Sequence, residues 1–154
     1  MRVDFYHLQK STLDQVLPVL AEKVFATGKR LLIKTGMAEE AEHLNTLLWT
    51  YRPDSWLPHG TISDGFEADQ PVFITDGESN LNAAEMVMLT NGGTMEDIAA
   101  FERCLNLFNG NDENAVQNAR ALWMAVVQNG HEAYYWQQND AGKWEMKASK
   151  VPEK

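Results

Sequence analysis

Few side chains in this 154-residue chain are suited to proton transfer, nucleophilic attack or metal binding. Its histidines are His7, His43, His59 and His131. None has a second histidine or a cysteine at ligand spacing, so a structural zinc is not expected. His43 follows Glu42 in a helical pattern and reads as part of a solvated face. His59 follows Pro58 in a loop, and Asp76-Gly77 closes a strand where α/β enzymes often keep an acid. A small α/β enzyme using His59 and Asp76 at the carboxyl edge of a sheet would need the two within hydrogen-bond reach. Loop packing for the histidine and a turn role for the aspartate are the plainer readings. The single cysteine, Cys104, lies in an apolar run and reads as a small buried hydrophobe. Standing alone, it excludes an internal disulfide framework.

Binding chemistry is more visible on the last long helical pattern. At about 100° per residue, Ala115, Ala119, Leu122 and Val126 share one face, while Val116, Arg120, Trp123 and Val127 repeat the spacing on its neighbour. The first set is an ordinary core stripe. The second is either the edge of a wide core with Arg120 snorkelling outward, or a groove taking an apolar side chain against Trp123 and a carboxylate on Arg120. Trp49 poses a similar question. It falls off the Met37, Ala41, Leu44 and Leu48 stripe of an earlier helix, and Trp56, Leu57 and Pro58 follow in an apolar loop. The tryptophans form either a satellite cluster or a docking patch.

The elements that must hold these residues alternate. Val3–Leu8 reads as a strand, and a helix opened by Ser11, with Asp14 as an approximate capping box, carries Leu13, Leu17, Leu20 and Val24 on one stripe. Leu31–Ile33 is a continuous apolar run, the mark of a strand covered on both faces. A helix from about Met37 to Trp49 follows. Further strands are expected at 72–75, 86–89, 104–108 and 133–136, with a short helix near 95–101 and a long one over about 112–128. The order predicts an α/β fold: a Rossmann-like, mostly parallel sheet with helices on both faces. We expect one domain over 1–142 and a lysine-rich tail, 143–154, outside it. Gln9-Lys10-Ser11-Thr12 after the first strand contains no glycine, and neither phosphate-binding glycine motif occurs anywhere. A nucleotide-binding glycine loop is therefore missing, and no cofactor is expected.

A net charge of −9 disfavours direct gripping of nucleic acid, which relies on basic surface. Apolar runs are too short to cross a bilayer, and Met1-Arg2-Val3-Asp4 places an acid where a signal peptide needs its apolar stretch. The expectation is a soluble, cytoplasmic protein.

Taken in order, several segments resemble the chi subunit of bacterial DNA polymerase III. The match begins at Val3-Asp4-Phe5-Tyr6, continues through Gly28-Lys29-Arg30-Leu31-Leu32-Ile33, and is sharpest from Leu47-Leu48-Trp49 through Arg52-Pro53, Ser55-Trp56 and Pro58-His59. Ala119-Arg120 with Trp123, and Gly130 before a strand, also agree. The resemblance implies a non-catalytic replisome adaptor. It would link the clamp loader, through the small psi subunit or an equivalent, to the acidic C-terminal tail of single-stranded DNA-binding protein, with any DNA contact indirect. It implies that Arg120 binds that tail, with Trp123, Val116 and Val127 beside it. Val116 stands where the family carries a basic residue one turn before the arginine, so one charge contact is missing. It also implies that Trp49, Arg52, Trp56 and Leu57 face psi, the clamp loader or a repair helicase.

Overall fold

The computed structural model describes residues 1–51, 57–61, 64, 65, 67–90, 92–94 and 97–152. Seven strands and three helices follow in chain order: β1 (Arg2–Leu8), α1 (Leu13–Ala26), β2 (Leu31–Lys34), α2 (Ala38–Thr50), β3 (Val72–Thr75), β4 (Met86–Leu89), β5 (Arg103–Asn109), α3 (Glu113–Gln128), β6 (Glu132–Gln138) and β7 (Trp144–Lys150). They form one sheet in the order β3-β2-β4-β5-β1-β6-β7, parallel except for β7. The expected α/β architecture, with helices on both faces, is what the chain adopts.

Burial on both faces explains the apolar strands. Tyr6, Leu31, Ile33 and Leu107 pack beneath α1 and α2, whereas Val3, Phe5, Leu32 and Phe108 pack beneath α3. A strand sandwiched this way has no wet face on which to place polar residues. The exception at its centre is Asp4, which is fully buried in β1. Its carboxylate accepts from Arg2 Nε and Nη2 at 3.0 and 2.9 Å, Arg103 Nε at 2.7 Å and Trp136 Nε1 at 3.0 Å. The charge is tolerated because its oxygens are met by donors, two of them cationic side chains.

Four details differ from the sequence reading. Thr12, not Ser11, caps α1: its hydroxyl accepts from Gln15 N while the Gln15 side chain accepts from Thr12 N. Met37 is the exposed N-cap of α2 rather than a member of its core stripe. Between 97 and 101 the chain makes only a single 3-10 turn, Ile98–Ala100. The lysine-rich end from Lys143 also proves to hold a strand, since β7 pairs antiparallel with β6. Trp144 anchors it by setting its ring edge-on to Tyr6, with centroids 5.1 Å apart.

No helix among the described residues is long and apolar enough to cross a membrane. Among those residues, no group of three His, Cys, Asp or Glu side chains could hold a metal ion.

Candidate functional site

α3 is capped by Asp112, whose carboxylate accepts from Asn114 N and Ala115 N. Ala119 and Val126 are buried, while Val116, Leu122, Trp123 and Val127 are half-buried against the same core. Arg120 therefore stands at the wet edge of a wide apolar face. This placement matches the wide-core reading of the second stripe: its apolar members finish the core, and the arginine lies at the exposed edge.

Beside Arg120 lies an open hollow of about 300 Å³, lined by Gly110, Asn111, Glu113, Val116, Gln117 and Arg120. Among the described residues, the Arg120 guanidinium has neither an ion-pair partner nor a side-chain hydrogen bond. The structure thus brings Arg120 and Val116 together around one opening. Trp123 and Val127 do not line it. Trp123 instead packs one turn on, its ring 5.4 Å from Phe5 and 6.2 Å from Tyr135. Glu113, about two turns before the arginine on α3, puts an acid on the same hollow, a feature that the helical stripe did not single out.

Behind Gly110, which lines the hollow, residues far apart in sequence meet. His7 is buried, its Nδ1 hydrogen-bonds the Tyr135 hydroxyl, and its Nε2 has no partner among the described residues. Gly110 passes directly over it: a Cβ there would lie 2.0 Å from His7 Nε2. Burial, and then the nearby Arg120 charge, lower the proton affinity of His7. Burial raises the Tyr135 phenol, while Arg120 works in the opposite sense.

The His7 shift carries a sign for stability. Unfolded, His7 takes up a proton as pH falls through about 6.5; folded, it resists. The unfolded chain then binds more protons, so the contribution of His7 is present above that pH and is lost below it. Urea unfolding followed from about pH 7.5 to about pH 5.5 is expected to show a smaller loss of stability in His7→Gln than in the parent chain. Equal slopes would show that the imidazole is not held neutral.

Elsewhere the sequence candidates separate. His59 is buried, with Nδ1 2.7 Å from Leu57 O, Nε2 3.0 Å from Asn45 O and its ring 4.4 Å from that of Trp49. It precedes Gly60, which bridges Phe73 near the start of β3. Asp76 is exposed just beyond the other end of that strand. At about 3.3 Å per residue the two lie roughly 13 Å apart along the strand, so no acid–base pair forms. Cys104 is fully buried, and burial drives its thiol far above the ordinary ionisation range. It is a core residue without a nucleophile's environment.

Trp49 is 54% exposed on α2. Leu57 is 2% exposed and belongs to the core, so it supports the loop rather than offering a contact surface. Arg52 and Trp56 lie outside the described residues. Because α2 covers one face of the sheet and α3 the other, Trp49 and Arg120 look out on opposite sides of the molecule.

Residues 1–134 match the family described as DNA polymerase III chi subunit, HolC. This chain belongs to that family. A "Probable DNA polymerase III subunit chi" from Rickettsia prowazekii (strain Madrid E) is 28% identical over 103 residues. The alignment covers 67% of this chain and 62% of the relative. All of β7 and most of β6 fall beyond the family match. The hollow beside Arg120 falls entirely within it.

Proposed function

We propose that the protein is a non-catalytic adaptor of the replicase. In this reading the α3 face binds the acidic C-terminal tail of single-stranded DNA-binding protein. The α2 face binds psi and the clamp loader, or a repair helicase in their place. The observation that carries the reading is a guanidinium without a partner among the described residues, beside an open hollow and across the sheet from an exposed tryptophan. One rigid sheet then holds two unlike partners apart, and neither needs to contact DNA through this chain.

Short-range chemistry has to drive the tail contact, because a chain of net charge −9 repels an acidic peptide at long range. Burying one phenyl ring contributes about 2 kcal/mol, and an arginine–carboxylate bond about 1.5 to 3 kcal/mol. After association costs, the result is a roughly micromolar contact suited to exchange. Several tails on one coating protein raise the effective affinity without new contacts.

Arg120→Ala is expected to weaken binding of an acidic peptide ending in Pro-Phe by about tenfold or more, read by fluorescence anisotropy. An unchanged affinity would move the tail site elsewhere. Trp49→Ala is expected to lose clamp-loader association in a pull-down while retaining peptide affinity. If both variants lost the same partner, the two faces would be one site.

A further inference from the structure

A second opening on α3 has different chemistry. The chain leaves β1 for α1 on one face of the sheet, and leaves the adjacent β5 for α3 on the other. Neighbouring strands whose connections part in this way leave a crevice outside their carboxyl ends, where open α/β sheets bind ligands. Here the crevice measures about 720 Å³, within the usual range for a small-molecule site. Its apolar lining includes Leu89, Phe108, Ala119 and Leu122.

The polar lining is rich in carboxamides. Asn114 and Asn118 lie one turn apart on α3, and Asn106 lines the crevice from β5. None of these three side chains makes a hydrogen bond among the described residues. Charge, in contrast, is already engaged. Lys10 pairs with Asp140 at 3.6 Å. Thr12 and Gln15 cap the start of α1, and the Asp112 carboxylate occupies the start of α3. At the start of α3 two of the amide donors a phosphate would seek are held by an anion, and at the start of α1 one is held by Thr12.

We propose that this crevice binds a nucleoside through its base, without phosphate. A carboxamide presents a donor and an acceptor side by side, which is the pattern on the hydrogen-bonding edge of a nucleobase. The apolar lining covers the ring. Asn106 and Asn118 select the ligand, and Asp112 turns away its phosphorylated forms.

The test is an NMR titration of the full chain with adenosine, AMP and inorganic phosphate as probes. Adenosine is expected to shift amide resonances in the β1–α1 and β5–α3 turns saturably, with AMP weaker and phosphate without effect there. Asn118→Asp, an exposed and nearly isosteric change, and Asn106→Ala are each expected to weaken adenosine by about tenfold. The unchanged dispersion of the remaining resonances would confirm that both variants fold. The proposal is overturned by any of three results: no saturable adenosine shifts at millimolar concentration, adenosine affinity in both variants unchanged from the parent chain, or tighter binding of AMP or phosphate. None of these outcomes bears on the peptide site at Arg120, which is read separately.

Discussion

Asp4→Ala is expected to lower the unfolding free energy by about 3 kcal/mol, the largest effect of any single substitution considered for this chain. Asp4 is fully buried on the interior strand β1 and receives bonds from Arg2, Arg103 and Trp136. Removing it leaves two guanidinium groups and an indole N–H without their acceptor. The arginine side chains are 36% and 35% exposed, so water reaches them once the carboxylate is gone. That partial rehydration holds the cost near the lower end of the range for a broken buried pair. The cavity left by the carboxylate adds a further loss. Asp4→Asn separates the two contributions: it fills the space but turns an amide NH2 toward donors, so most of the loss is expected to remain. Urea midpoints for the two variants are the measurement. A loss below about 1 kcal/mol in both would mean that the cluster contributes little to stability.

This cluster also marks the boundary of what the sequence reveals. The strands from β1 to β6 are legible because a sheet covered on both faces requires continuous apolar runs, and Leu31–Ile33 and Met86–Leu89 supply them. β7 escapes because it is an exposed edge strand. Lysines at such an edge discourage pairing with other chains, and they also make the segment read as a solvated tail. Its sign was Trp144, too large and apolar to be idle in a free tail. Arg120 is legible as an outward residue from helical spacing alone. The His7–Tyr135 bond is not, because 128 positions separate the two residues and only the parallel pairing of β1 with β6 brings them together. The same holds for His59 and Asp76. Both follow features that suit chemistry, but opposite ends of β3 keep them apart.

Gly110→Ala is expected to cost about 2 to 3 kcal/mol and to reshape the Arg120 hollow as well. The new methyl carbon would lie 2.0 Å from His7 Nε2 and 2.1 Å from Cδ2, distances at which something must move. The imidazole cannot swing away cheaply. Its Nδ1 is tied to the Tyr135 hydroxyl, and its ring packs against Phe108 and Tyr135 with centroids 5.1 and 5.8 Å away. The other route is to displace the turn after β5, which carries Asp112, the cap of α3. Moving that turn shifts the first coil of the helix bearing Glu113, Val116 and Arg120, all of which line the hollow. A stability loss is therefore expected together with weaker binding of the acidic peptide, although position 110 carries no side chain to contact it. The double variant His7→Ala with Gly110→Ala tests the cause. Removing the ring makes room for the methyl, so the two losses should combine to less than their sum in a double-mutant cycle. Strict additivity would mean that Gly110 matters for the turn itself and not for its closeness to His7.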